Sequence, residues 1–277
     1  MTEISADEAF SIAPELKSSS RIVVLLGSPD GLKGISKKLT SLKGVTRIRR
    51  GVFIVHEYLE SHDMLLQFHS VISFSKTREI PTIREQSKNA YSDRVYTLVS
   101  FSYKDPTTQQ KKYVERLIRK STGIRLRPGV ILFPLLRSKE RRRIIGSDDE
   151  KVLIDSAEFA RLVRMNGGDA LRWSRLRISN LNGADKIEDA VQRTFVRDLK
   201  TIEERIQTLR EHLKSSNTKI RQLKKNYTVL SRGYREVKTK WMLAKKLWLF
   251  DPEKALKRTY NMLINTRRAI SSAEDKL

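Results

Sequence analysis

The sequence predicts an α+β protein with two tandem ferredoxin-like βαββαβ units, followed by a C-terminal helical hairpin or bundle. Strand-like apolar runs and amphipathic helical stretches occur twice in the same order between residues 21 and 180. A short arginine-containing motif recurs in both units at an offset of 78 residues. From about residue 186 onward, the apolar residues keep the 3/4 spacing of packed helices.

The first unit is predicted over residues 21–76, after an acidic, flexible tail at 1–20. An apolar strand at 21–26 leads into a turn that contains Gly27 and Gly31. A short helix with Leu39 on its apolar face ends at Gly44. The unit is completed by strands at 45–48 and 52–55, a helix at 58–69 and a strand at 71–74.

The second unit is predicted over residues 94–180, after a polar linker at 77–93. A strand at 95–103 alternates between apolar and polar residues. Thr107 and Gln110 have capping-box spacing before a helix that ends at Gly123. The remaining elements are strands at 124–127 and 130–133, a helix between Asp155 and Gly167, and a strand at 170–178.

An internal repeat supports two copies of one unit. Arg47-Ile48-Arg49-Arg50-Gly51-Val52 corresponds to Arg125-Leu126-Arg127-Pro128-Gly129-Val130. Both segments have the pattern Arg-apolar-Arg-x-Gly-Val, and both lie between a helix stop and a hydrophobic strand. The recurrence therefore favours a tandem duplication of the fold.

Residues 181–277 are predicted to form a basic helical arm. Its second apolar stripe consists of Ile220, Leu223, Tyr227, Leu230, Tyr234, Val237 and Trp241. The polar stretch 215–218 is either a hairpin turn or an interruption in one helix of about 60 residues, which would be about 90 Å long. The hairpin is favoured because its helices would bury their stripes on each other.

The charge composition predicts a polyanionic partner. The 277 residues include 56 Lys and Arg against 32 Asp and Glu, for a formal net charge of +24, and no Cys. Without Cys, disulfides, thiolate zinc sites and cysteine nucleophiles are excluded. No apolar run approaches the ~20 residues of a membrane span, and the acidic N-terminal stretch does not resemble a signal peptide. We expect a cytoplasmic protein, nucleoid-associated in a prokaryote, that binds nucleic acid and no membrane.

The basic residues are concentrated in three segments. Residues 31–50 contain seven basic and no acidic side chains, residues 111–143 twelve and two, and residues 213–246 eleven and one. Such concentration is typical of a binding surface. The predicted nucleic-acid-binding residues are Lys37, Lys38, Arg47, Arg49, Arg50, Arg125, Arg127, Arg137, Lys139, Arg141, Arg142, Arg143, Arg221, Lys224, Lys225, Arg232 and Arg235.

The paired arginines of the repeat are the first of these candidates. Strand alternation predicts that both arginines of a pair share one sheet face, with Ile48 or Leu126 on the other. Because helices cover only one face of a ferredoxin-like sheet, the arginine face should be open and suited to phosphates. The alternative is that these arginines pair with carboxylates between the two units.

Two further basic segments have alternatives of their own. The loop at 137–143 is consistent with a backbone-tracking arm, a nuclear localisation signal or a solvated loop. The basic helix at 213–246 suits phosphates. An anionic membrane is a weaker alternative for it, because Trp241 and Trp248 are better explained as core residues.

Catalysis and metal binding are not predicted. Asp30 and Asp105 each follow the first strand of a unit, but both lie in ordinary turn sequences. His62 and His69 are seven residues apart, so they do not form the adjacent-turn pair of a metal-binding helix. We therefore predict a non-enzymatic protein with no metal or cofactor.

Residues from about 95 to 270 resemble the N-terminal region of the chromate-resistance regulator family ChrB. The resemblance rests on 129–134 (GVILFP), 167–171 (GGDAL), the helix around 193–210, and the stretch from 240–243 (KWML) to 249–252 (LFDP). The same strand-helix-strand layout is similar to the middle domain of the phenylacetate repressor family PaaX and to small CRISPR adaptation endonucleases. These resemblances imply a ferredoxin-like domain and DNA-linked regulation. In the endonucleases, an acidic residue after the first strand serves metal-dependent cleavage.

The sequence thus predicts a nucleic-acid-binding protein, either a DNA-binding transcription regulator or a chromatin-associated factor. DNA is preferred over RNA only because of the regulator resemblance. The alternatives are an RNA- or ribosome-associated structural binder and a metal-dependent nuclease. A homodimer is consistent with the sequence.

Overall fold

The computed structural model describes residues 16–17, 19–27, 33–56, 70–82, 91–140, 153–214, 220–248 and 250–275. The chain divides into two compact structural units. Met1–Ala190, hereafter the first unit, contains both of the predicted ferredoxin-like units, and Val191–Leu277 is hereafter the second unit. The predicted helix at 58–69 lies outside the described residues. None of the described helices is both long enough and apolar enough to cross a membrane.

The first unit combines strands and helices, as predicted. Its strands are β1 (Arg21–Leu25), β2 (Val45–Arg49), β3 (Val52–Val55), β4 (Val71–Lys76), β5 (Tyr96–Ser102), β6 (Ile124–Arg127), β7 (Val130–Pro134) and β8 (Asp169–Ile178). Its helices are α1 (Lys33–Ser41), α2 (Thr108–Arg119) and α3 (Ser156–Met165). The capping box predicted for α2 is confirmed, because Thr107 Oγ1 accepts from Gln110 N at 3.2 Å and Gln110 Oε1 accepts from Thr107 N at 2.9 Å.

The eight strands form one antiparallel sheet in the order β2-β3-β1-β4-β8-β5-β7-β6. The two halves of the sheet are joined where β4 pairs with β8, from Phe74 opposite Ile178 to Lys76 opposite Leu176. Helix α1 packs Leu39 on the first half, beside Phe53. Helices α2 and α3 cover the same side of the second half, where Phe159 contacts Phe133 at a ring-centroid distance of 5.6 Å.

The second face of the sheet is also buried, so the prediction of an open face is wrong. Residues on this face alternate with the helix-covered ones, and Ile22, Ile54, Leu98 and Leu132 are fully buried. The side chains that should have met solvent are therefore largely apolar core.

Strong curvature of the sheet explains how this face is buried. Arg127 of β6 donates from Nη1 to the carbonyl oxygen of Leu25 in β1 at 2.6 Å. Five strand positions separate β6 from β1, or about 24 Å in a flat sheet with a strand spacing of about 4.8 Å. That gap is far beyond the reach of one side chain. The sheet must therefore curl so that its two halves face each other.

Parts of the predicted tail and linker are ordered. Leu16 and Ser20 are buried, and Ser20 Oγ donates to the carbonyl oxygen of His56 at 3.0 Å. At the end of the predicted linker, Tyr91 is buried in a 3₁₀ turn, where its carbonyl accepts from Tyr96 Oη at 2.7 Å. Residues 1–15 and 83–90 lie outside the described residues.

The second unit is a helical bundle made from α5 (Ile220–Trp248), α6 (Glu253–Glu274) and the part of α4 (Gly183–Lys214) that follows Ala190. Asp198 in α4 contacts Lys240 in α5, although 42 residues separate them in sequence. A single straight helix cannot bring these residues together, so α4 and α5 pack side by side as the hairpin interpretation predicts. Helix α6 completes the bundle, where Tyr234 donates from Oη to the carbonyl of Leu256 at 2.8 Å.

Candidate nucleic-acid interface

One face of α5 carries four exposed basic residues. Arg221, Lys225, Arg232 and Arg235 are exposed and follow one another at intervals of four, seven and three residues, which places them on the same side of a helix. These four residues are called the α5 stripe. The opposite side of the helix buries the apolar residues Leu223, Leu230, Tyr234, Val237 and Trp241. The α5 stripe spans about 21 Å at 1.5 Å per residue.

Carboxylates are scarce on the helix that carries the α5 stripe. Helix α5 contains nine basic residues and one acidic residue, Glu236. Among the described residues, no ion pair or side-chain hydrogen bond engages any of the four stripe residues. Uncompensated cations at helical spacing are suited to contact a row of phosphates.

Other basic residues of α5 are already paired. Lys224 donates to Glu274 Oε1 at 2.5 Å, with both side chains about half exposed. Lys245 lies 2.6 Å from Glu253 Oε1 and 3.6 Å from Asp251 Oδ1. The hydrogen bond to Glu253, followed by the charges of both carboxylates, raises the pKa of Lys245. Exposed pairs of this kind add little stability.

Lys240 belongs to the interior of the bundle and not to its basic surface. Its side chain is only 2% exposed, and Nζ donates to Asp198 Oδ2 at 2.9 Å. The indole nitrogen of Trp241 donates to the same oxygen at 3.0 Å. One buried carboxylate thus holds two successive residues of α5.

The prediction that the repeat arginines share one sheet face is wrong. A bulge at Ile48 makes Arg47 pair with Phe53 and Arg49 with Val52, which lie on opposite faces. The second copy has the same irregularity at Leu126, between Arg125 and Arg127. Arg47 is exposed, whereas Arg49, Arg125 and Arg127 are partly buried.

The partly buried arginines make internal bonds. Arg49 hydrogen-bonds to Ser102 Oγ and lies 2.5 Å from Asp169 Oδ2, in the opposite half of the sheet. Arg125 pairs with Glu115 of α2 at 2.7 Å. The exposure expected for these residues is therefore wrong. For Arg49, the alternative of carboxylate pairing between the two halves describes the observed contact.

Arg127, the counterpart of Arg49 in the second copy of the repeat, also bonds to the opposite half of the sheet. Besides its bond to the Leu25 carbonyl, its guanidinium lies directly over Gly51, where a Cβ would come within 1.6 Å of Nη1. Burial lowers the pKa of Arg127, and the nearby charges of Arg50 and Arg47 lower it further. The two repeat motifs therefore meet in space.

Gly51→Ala should destabilise the protein more than Gly44→Ala. Both glycines have similar positive φ, +73° and +78°, so the backbone strain of about 1–2 kcal/mol is shared. Only at position 51 must the Arg127 guanidinium also move and lose its bond to Leu25, which should add about 1–3 kcal/mol. Urea denaturation of the two variants measures the difference. Equal losses would contradict the position of Arg127.

The remaining predicted site residues are distributed over the surface. Lys37 and Lys38 are exposed on α1, Arg50 is exposed at the β2–β3 turn, and Lys139 is exposed after β7. Arg137 donates from Nε and Nη2 to the carbonyl of Ile80 at 2.8 and 2.5 Å. Three predicted residues, Arg141, Arg142 and Arg143, lie outside the described residues.

The structure describes one of the residues weighed for catalysis or metal binding, Asp105. It is exposed, with a backbone φ of 48°. Asp30, His62 and His69 lie outside the described residues. Within the part of the chain that the structure describes, no group of three or more His, Asp or Glu could hold a metal ion.

A groove lies where the β2–β3 turn meets the ends of β5, β6 and α2. Its volume is about 610 Å³, and its walls include Arg49, Arg50, Ser100, Lys111 and Arg125. The sequence pattern identified the arginines but not Ser100 or Lys111. No local signal could have found them, because their proximity depends on the curling of the sheet.

Comparison with known proteins adds no relative. No protein-family model, no curated protein and no solved structure matches the chain.

Proposed function

We propose that this protein binds nucleic acid through the α5 stripe, with duplex DNA as the preferred ligand, and that it acts as a DNA-associated regulator or chromatin factor. The observation that carries the proposal is the row of four exposed cations on one face of α5, which form no ion pair with any residue that the structure describes. The resemblance to the ChrB and PaaX regulator families supports DNA over RNA.

The charge of the second unit supports a polyanionic ligand. Residues 191–277 contain 22 Lys and Arg against 9 Asp and Glu. A solubilising surface usually mixes both signs, whereas the α5 stripe presents one sign along about 21 Å. Arginine side chains of this kind make charge-assisted hydrogen bonds to phosphate oxygens.

The absence of stacking groups on the stripe favours a duplex over a single strand. The aromatic residues described on α5 are buried or half-buried, namely Tyr227, Tyr234, Trp241 and Trp248. Single-strand binders usually stack bases on exposed aromatic rings. A rigid helix with exposed cations is better suited to the regular phosphates of a duplex or to its major groove.

The finer architecture belongs to the same proposal. The strand orders β2-β3-β1-β4 and β8-β5-β7-β6 each correspond to the 4-1-3-2 arrangement of a βαββαβ unit. This supports two ferredoxin-like units that share one curled sheet. We propose a binding role and no catalytic one for this scaffold.

A salt titration tests the proposed function. Duplex DNA, hairpin RNA and single-stranded DNA of matched length would be compared by fluorescence anisotropy. Duplex DNA should bind tightest, with a log–log salt slope of roughly −5 or steeper. A flat salt response would overturn the electrostatic proposal, and tighter binding of the hairpin RNA would replace DNA by RNA. Magnesium or manganese should cause no cleavage in any of these mixtures.

A further inference from the structure

We infer that the groove beside the β2–β3 turn of the first unit is a binding site for an organic phosphomonoester, such as a nucleoside monophosphate. This goes beyond the proposed function, because the groove belongs to the first unit and the α5 stripe to the second. The groove volume of about 610 Å³ falls within the ~300–1,000 Å³ typical of small-molecule sites.

The groove is lined by two exposed cations and by two partly buried ones. Arg50 and Lys111 are exposed at its walls, and neither has an ion pair or side-chain hydrogen bond among the described residues. Arg49 and Arg125 are oriented by bonds to Asp169 and Glu115. Each of these guanidinium groups already has a carboxylate partner, so Arg50 and Lys111 are the cations best placed to bind a phosphate group.

Apolar residues complete the groove and favour an organic ester over inorganic phosphate. Phe101, Tyr103, Pro106 and Val130 form part of its lining. The Tyr103 ring is fixed against Gly168, where a Cβ would come within 2.8 Å of the ring. A flat, partly apolar group such as a nucleobase would contact these side chains while the phosphate meets the cations.

Calorimetric titration with adenosine monophosphate tests this inference. Adenosine monophosphate should bind at least about tenfold more tightly than adenosine or inorganic phosphate, because only the ester engages both parts of the groove. The double variant Arg50→Gln/Lys111→Gln should weaken binding about tenfold or more. The matched control Lys37→Gln/Lys38→Gln removes two exposed charges from α1 and should leave binding unchanged. Equal weakening in both variants, or equal binding of adenosine and its monophosphate, would overturn the inference.

The 5′-phosphate at the end of a nucleic-acid strand is a second possible source of a phosphomonoester. A 5′-phosphorylated oligonucleotide should compete with adenosine monophosphate no better than its unphosphorylated form if the ligand is a free compound. Stronger competition by the phosphorylated strand would identify a strand end as the source and would overturn the free-compound assignment. Salt-dependent duplex binding through α5 should be unaffected by Arg50→Gln/Lys111→Gln, so the two proposals fail independently.

Discussion

Changing Arg221, Lys225, Arg232 and Arg235 together to Gln is expected to weaken duplex DNA binding roughly 10³-fold at about 0.1 M salt. Each phosphate contact contributes about −0.9 to the log–log salt slope, so loss of four contacts should make the slope shallower by up to about 4. Because the four side chains are exposed and make no internal bonds among the described residues, the urea midpoint should stay nearly constant. Anisotropy at several salt concentrations, with urea denaturation beside it, measures both effects.

A control with the same charge change distinguishes a specific face from the general field of a basic protein. Arg193, Arg205, Lys257 and Arg268 are exposed on α4 and α6. Their joint replacement by Gln also removes four charges, but from surfaces outside the α5 stripe. We expect a much smaller loss of affinity. Equal losses of affinity and equally shallow salt slopes in the two variants would mean that net charge alone explains binding. The assignment of the interface to the α5 stripe would then be wrong.

Local sequence patterns predicted the described strands and helices of the first unit, because each signal depends on neighbouring residues. The Thr107–Gln110 capping box is observed as expected. The repeat around Gly51 and Gly129 also marks two equivalent turns, with φ of +73° and +77°. In both copies the glycine carbonyl accepts from the end of a strand, from Leu25 N at 2.9 Å and from Phe101 N at 2.8 Å. Caps and turns that depend on neighbouring residues could therefore be predicted from the sequence.

The sheet face on which each repeat arginine lies could not be predicted from the sequence. A one-residue bulge reverses the side on which every later residue of the strand lies. The bulges occur at Ile48 and Leu126, and isoleucine and leucine are not residue types that predict a bulge. The curling of the sheet had even less signal, because it depends on pairing between strands far apart in sequence. As a result, Arg49 and Arg127 were assigned to a surface when they join the two halves of the sheet.

The basic helix gave a more reliable signal, because helical periodicity separates the buried side from the exposed side without knowledge of the partner helix. The apolar stripe that contains Leu223, Leu230 and Val237 was predicted and is buried. Charge alone was misleading at one position. Lys240 counts toward the basic segment 213–246, yet its ammonium lies inside the bundle.

Asp198→Ala is expected to lower the free energy of unfolding of the helical bundle by about 3–5 kcal/mol. Asp198 and Lys240 are 6% and 2% exposed, so removal of the carboxylate leaves a buried ammonium without its counter-charge. The Trp241 indole N–H would also lose its acceptor. Urea denaturation followed by tryptophan fluorescence measures the change, since Trp241 and Trp248 both lie in this unit.

The double variant Asp198→Asn/Lys240→Met should recover much of this loss. Asparagine retains an oxygen that can accept from the Trp241 indole, and methionine fills the space of the lysine stem without a charge. Lys240→Met alone would leave the Asp198 carboxylate buried with only the indole as donor, so it should be less stable than the double variant. If instead both single changes were additive and each cost less than about 1 kcal/mol, the ion pair would not be buried in solution. Duplex DNA affinity should be the same for the double variant and the native protein, because Lys240 lies inside the bundle and contributes no cation to the α5 stripe.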